Sequence, residues 1–257
     1  MTRLPAGRNG GRFIWYDVMT TDRPAAAAFY GAVLGWTTAD SRRQDGSYTL
    51  FSTPHGPAAG LMSLHAGAPP CWTGYIGVDD VEDTVTRALA AGGSLDHGPE
   101  TIPGIGRFAV VADPHGARFV VFTWQEGRAP QPPPPTLGHV QWHELYAGER
   151  EAAFTFYAAL FGWTKEQAID TGPMGLYQTF GQHGGPAFGG MITRMPSMPG
   201  PFWLFYFATD AIDAAAARVT AQGGRVMTGP MQVPTGSWII HCLDPQGALF
   251  ALIAPAR

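Results

Sequence analysis

Apolar positions recur along this chain with two periods, and the two alternate in a fixed order. "RFIWYDVM" at 12–19 is a β-rich run. The stretch after it opens at Asp22, tolerates Pro24 in a first turn and stops at Gly35, which predicts a helix. "SYTLFST" and "AGLMSL" then read as strands. "WTGYIGV" precedes a second helix that begins near Asp79-Asp80. Its apolar residues Val81, Val85, Ala88 and Leu89 follow the i, i+4, i+7, i+8 spacing of one inner stripe, and Gly92-Gly93 end it. "GRFAVVA" and "ARFVVFTW" follow, with "ADPHGA" between them as a hairpin turn. The second half of the chain repeats the order. Its last helix has Asp210 near the cap, then Ile212, Ala216 and Val219, then Gly223-Gly224. One strand, one helix and about three strands, four times over, is an α+β pattern of βαβββ units.

The repetition extends to single residues. "FYGAVLGW" at Phe29–Trp36 returns 127 positions later as "FYAALFGW" at Phe156–Trp163, and at that offset Trp15 falls on Trp142 and Asp17 on Glu144. Further on the offset is 131: Trp72 meets Trp203, Tyr75 meets Tyr206, and "DPHGA" meets "DPQGA". Small loop insertions in the second copy account for the drift. The chain therefore reads as an N-terminal tail (1–12), a first domain (13–124), a linker (125–138) and a second domain (139–257). Four consecutive prolines, Pro132 to Pro135, favour polyproline II and make that linker a semi-rigid strap.

A first strand and helix ending "FYGAVLGW", an Asp-capped helix ending in Gly-Gly, and a "DPxGA" hairpin before the last strand resemble the vicinal oxygen chelate superfamily. That group contains glyoxalase I, extradiol dioxygenases, and fosfomycin and bleomycin resistance proteins. The resemblance runs from Phe13 to about Ile253, and the chain is similar to tandem glyoxalase-like members. It implies two tandem domains, each with two βαβββ modules forming a cup-shaped mixed sheet with helices outside and a ligand cavity within. It also implies a divalent metal held by His, Gln or Glu. The motif's first ligand, seven residues before the Asp that opens the helix, falls at Trp15 and Trp142. The last-strand carboxylate falls near Val120 and Ala251, and the His of the next module's first strand near Thr73 and Leu204. An indole N–H only donates, and none of the other four is a strong metal donor. The expected cofactor is none, with a divalent metal as the alternative.

Two rescues of a metal site are weak. His143 and Glu144 are adjacent, so a regular strand turns them to opposite faces. His241 has Val110 as its counterpart, an asymmetry that leaves a metal at His241 as the alternative, while the plain reading is a hydrogen-bonded histidine of the core or rim. His55 and His183 read as turn residues.

If Trp15 faces the cup, Asp17 does too by period two, and Trp142 and Glu144 stand in the same relation. A carboxylate beside an indole in an apolar hollow is partly desolvated, which would raise its pKa and suit Glu144 or Asp17 to proton transfer. The plain alternative is that each carboxylate accepts hydrogen bonds from loop N–H groups or pairs with an arginine such as Arg107. Tyr48 and Tyr177, Trp72 and Trp203, with His241, complete the expected lining. Such a wall suits a flat, aromatic or apolar small molecule. The function expected is therefore glyoxalase-like binding of such a molecule without the usual metal. The alternative is an enzyme of the superfamily, metal-dependent or using a carboxylate base: a glyoxalase or isomerase, a hydroxylase or a dioxygenase.

Composition narrows the partners. The 257 residues carry a net charge of −4 and no basic cluster beyond Arg42-Arg43, which offers nothing to nucleic acid or an acidic membrane. "MTRLPAGRNGGR" lacks the apolar core of a signal peptide, and no apolar run approaches the ~18 residues of a membrane span. Cys71 and Cys242 lack metal spacing and read as reduced thiols in the cytoplasm, a disulfide between them being the alternative. Neither a GxSxG elbow nor a phosphate-binding loop is present. The expected partner is a small-molecule ligand alone. The two copies are expected to pack as a pseudo-dimer within a monomer, and a homodimer is compatible with this.

Overall fold

In the computed structural model, residues 10–40, 48–64, 67–125 and 136–257 are described. The predicted order is present four times. The first module is β1 (Phe13–Thr20), α1 (Arg23–Leu34), β2 (Thr37–Asp40), β3 (Tyr48–Thr53) and β4 (Gly56–Ser63). The second is β5 (Cys71–Gly77), α2 (Val81–Ala90), β6 (Ser94–Ile102), β7 (Gly106–Ala112) and β8 (Arg118–Trp124). The third is β9 (Val140–Ala147), α3 (Arg150–Phe161), β10 (Trp163–Asp170), β11 (Leu176–Gln182) and β12 (Gly189–Thr193). The fourth is β13 (Phe202–Ala208), α4 (Ile212–Ala221), β14 (Arg225–Gln232), β15 (Trp238–Leu243) and β16 (Leu249–Ala254). Two eight-stranded mixed sheets result, ordered β2-β3-β4-β1-β5-β8-β7-β6 and β10-β11-β12-β9-β13-β16-β15-β14. The proline run and Arg42-Arg43 lie outside the described residues.

Local chemistry sets the helix ends. The Asp22 carboxylate accepts from the Ala25 N–H, and Pro24 occupies the first turn, where its missing donor costs nothing. Gly35 and Gly162 close α1 and α3 in the left-handed conformation, at φ 71° and 70°. Two details differ from the sequence pattern. Leu89 is 47% exposed, and Thr84 takes the inner place beside Val81, Val85 and Ala88, because a ten-residue helix buries a narrow stripe. In α4 the inner residues are Ile212, Ala215 and Val219, not Ala216, and Ala211 rather than Asp210 is the N-cap.

By packing, the described residues divide into two compact units. One draws on residues 10–14, 74–125 and 144–203, the other on 15–40, 48–64, 67–73, 136–143 and 204–257. Each unit thus joins a module from one copy to a module from the other. In the first, α2 lies on β6, β7 and β8 and touches α3; in the second, α4 lies on β14, β15 and β16 and touches α1.

The duplicated phrase is explained inside each unit. In the second, the Tyr30 hydroxyl donates to Asp244 Oδ2 at 3.0 Å and accepts from Trp72 Nε1 at 2.9 Å. Trp36 Nε1 donates to the Gly138 carbonyl at 2.9 Å. In the first, Tyr157 donates to Asp113 Oδ2 at 3.4 Å, Trp203 Nε1 donates to Tyr157 at 3.2 Å, and Trp163 Nε1 donates to the Gly11 carbonyl at 2.7 Å. Every polar tip of these buried rings therefore has a partner, as burial requires. Asp113 and Asp244 also tie their own turns, each accepting from two backbone N–H groups. "FYxxxxGW" and "DPxGA" are two halves of one buried joint.

Candidate functional site

β1 carries Trp15 and Asp17 two positions apart, and Asp17 lies in register with Gly60 on β4. Gly60 in turn faces Leu50 on β3, two residues from Tyr48. A methyl group at Gly60 would collide with the Tyr48 hydroxyl and the Asp17 carboxylate, so the glycine is the floor on which these two side chains meet. Tyr48 donates to Asp17 Oδ1 at 2.6 Å, and Trp15 Nε1 is shared between Asp17 Oδ1 at 2.9 Å and the Tyr48 hydroxyl at 2.7 Å. Asp17 is only 2% exposed, while Trp15 and Tyr48 are half-buried.

The second copy repeats the device with a longer acid. Tyr177 on β11 donates to Glu144 Oε2 at 3.0 Å, and a methyl at Gly190 on β12 would strike the Tyr177 ring. Glu144 is 8% exposed; Trp142 and Tyr177 are half-buried. Tyr146, two residues along β9, also hydrogen-bonds to Glu144 and stacks on Phe202 with centroids 4.8 Å apart. Burial and the neighbouring Glu144 charge push its phenol well above the usual tyrosine range.

The other candidates fall elsewhere. Trp72 and Trp203 are buried in the ring clusters around Tyr30 and Tyr157. Arg107, considered as a carboxylate partner, pairs with Glu82 and Thr101 instead; tyrosine and indole donors reach Asp17 and tyrosine donors reach Glu144. His143 hydrogen-bonds through Nε2 to the Tyr16 hydroxyl at 2.6 Å and is buried. His55 and His183 occupy turns, His183 at φ 52°. His241 on β15 meets the Tyr206 hydroxyl at 2.8 Å, and burial lowers its pKa to about 4. No disulfide joins Cys71 and Cys242, so that alternative does not hold; burial pushes the Cys242 thiol up to about 12.

The glycines and Tyr146 are what sequence reasoning missed. Gly60 and Gly190 had a signal, a glycine inside an apolar strand run in both copies, which marks close approach of another group. Tyr146 had none, since its first-copy counterpart is Met19.

These pairs resolve the register of the duplicated sheets: His241 faces Ala251, which faces Tyr206, just as Val110 faces Val120, which faces Tyr75. Comparison with known proteins agrees with that architecture. The model of the Glyoxalase/Bleomycin resistance protein/Dioxygenase superfamily matches residues 136–252, and that of the Glyoxalase-like domain matches 14–122. The chain belongs to the glyoxalase/bleomycin resistance protein/dioxygenase superfamily.

Among superfamily relatives, CFP32 of Mycobacterium tuberculosis, a provisionally named glyoxylase, is 32% identical over 94% of each chain. The anthracycline biosynthesis protein DnrV of Streptomyces peucetius is 32% identical over 98% of this chain and 95% of its own. The Mn(II)-bound glyoxalase of Novosphingobium aromaticivorans superposes with a TM-score of 0.67 at 14% identity, covering 95% of this chain and 82% of that one, a likeness of fold.

At the positions where the resemblance places metal ligands, the donor set does not fit a divalent metal. The strand positions concerned carry Trp15, Trp142, Thr73, Leu204, Val120 and Ala251, none of them a strong ligand. Among the described residues, no group of three or more His, Cys, Asp or Glu side chains gathers in metal-binding geometry. Nor is any helix among them long and apolar enough to cross a membrane.

Proposed function

We propose that this superfamily member binds a flat, aromatic or apolar small molecule, using ring contacts for affinity and the acid–tyrosine pairs for orientation, without a divalent metal at the usual positions. The observation that carries this reading is the pair itself: a buried carboxylate bonded to a tyrosine hydroxyl over a strand glycine in both copies, joined in the first copy by a half-buried indole. Asp17 Oδ1 accepts two donors at once, which holds the Tyr48 ring and the Trp15 indole in fixed orientation. Fixed rings lose little entropy when a planar ligand stacks on them. Support also comes from the relatives named for anthracycline biosynthesis, since anthracyclines contain fused planar rings.

Tryptophan-fluorescence titration with the planar hydrocarbon fluorene, before and after chelator treatment, tests this together with metal analysis of the purified protein. Saturable binding that chelation leaves unchanged is the expected result. Stoichiometric metal whose removal abolishes binding would overturn it in favour of a metal-dependent enzyme. A turnover abolished by Glu144→Gln with ring affinity retained would point to a carboxylate-base enzyme instead.

A further inference from the structure

His241 breaks the symmetry of the duplication in a way that changes chemistry. In the fourth module Tyr206, Ala251, His241 and Thr228 stand side by side on four adjacent strands and share one face. Strand alternation sends Ile240 and Cys242, both fully buried, to the opposite face. Between Tyr206 and His241 the strand offers only the methyl of Ala251, and over it the phenol and imidazole meet at 2.8 Å. In the second module the same row reads Tyr75, Val120, Val110, His97. A branched valine fills the gap, the facing position has no polar group, and Tyr75 packs edge-on to Phe122 at 5.9 Å.

The bonded pair has a defined donor count. Burial keeps the imidazole neutral at physiological pH. A neutral imidazole and a phenol carry two polar hydrogens between them, one of which is used in their mutual bond. With the Tyr206 hydroxyl donating to Nε2, the imidazole carries its hydrogen on Nδ1, and that N–H is the donor His241 offers. Tyr206 is buried and His241 half-buried, so the imidazole is the member of the pair that a ligand can reach.

We propose that His241, backed by Tyr206, is the specificity-determining anchor of a ligand site on this face of the second copy, donating a hydrogen bond to a carbonyl oxygen on an aromatic ligand. This rests on the reading of the chain as a binder of flat ring systems and adds to it the functional group recognised. The first copy, with Val110 in that place, takes ring surface without regard to a carbonyl.

Fluorenone and fluorene test this, because they share a ring skeleton and differ in one carbonyl oxygen. The wild type is expected to bind fluorenone about tenfold more tightly, the worth of one neutral hydrogen bond made in a partly desolvated site. His241→Val should bring fluorenone down to the fluorene value, and His241→Gln, which keeps an N–H donor, should restore part of the difference. Circular dichroism and Tm check that each variant is folded. Equal affinities in the wild type, or a preference that survives in folded His241→Val, overturn the anchor while leaving ring binding intact. Failure of both probes to bind overturns the anchor and the proposed function together.

Discussion

Tyr30 and Asp244 lie 214 residues apart in the chain, yet the tyrosine hydroxyl donates to Asp244 Oδ2 across 3.0 Å in a fully buried setting. Burial and the nearby Asp244 charge hold the Tyr30 phenol well above its usual pKa, so it remains a donor throughout the physiological range. The same tyrosine accepts from Trp72, making it the centre of a three-residue joint.

Tyr30→Phe removes the hydroxyl and leaves Trp72 Nε1 and Asp244 Oδ2 each short of a partner. Unsatisfied buried groups cost about 1–3 kcal/mol. Urea denaturation should show a loss in that range, with a smaller loss for Tyr157→Phe, whose bond to Asp113 is longer at 3.4 Å. Unchanged midpoints for both would mean that the joint contributes packing alone.

Gly60→Ala tests the floor beneath Asp17 and Tyr48. The added methyl displaces the Tyr48 hydroxyl, and overpacking of this kind costs about 1–3 kcal/mol. Fluorene affinity should fall at least severalfold in protein that is still folded. Retained affinity would show that the acid–tyrosine geometry does not shape the ligand surface.

The pH dependence of stability follows from His241. Unfolded, its imidazole takes up a proton below about pH 6.5; folded, only below about 4. Between these values the unfolded chain binds more protons, so stability rises with pH and is lost on acidification, by up to about 3 kcal/mol. His139, lowered by burial, acts in the same direction, and Asp244, raised by burial, acts in the opposite one. The difference between wild type and His241→Val therefore isolates the term: it should change between pH 6.5 and 4 and be flat above 7. A flat difference throughout would place His241 in water.

Thiol labelling should distinguish the two cysteines. Cys242 is fully buried with its thiol pushed up to about 12, whereas Cys71 is half-buried. A thiol reagent near neutral pH should modify no more than one sulfur in the native protein and two in denaturant. Rapid loss of both would show that β15 opens in solution.

Much of the fold was legible because its signals are local. Asp22, Pro24 and Gly35 determine where α1 starts and stops through their own backbone and side-chain chemistry, and the period-two runs announce the strands. The exposure of Leu89 was not legible, because the width of a buried stripe depends on what packs against it. The nearness of Trp15 to Asp17 was visible from spacing alone. The true partners of the two carboxylates, Tyr48 and Tyr177 in place of Arg107, depend on the register of β3 with β4 and of β11 with β12.

The amino-acid sequence alone determined the duplication, the βαβββ order and the superfamily, since repeats, caps and periodicity are written in neighbouring residues. Only the tertiary structure decided that the Tyr of one copy's helix meets the Asp of the other copy's hairpin, and that His241 reaches Tyr206 over an alanine. Those contacts join residues brought together by strand register and packing, and a polar side chain takes whichever partner its burial places within 3 Å.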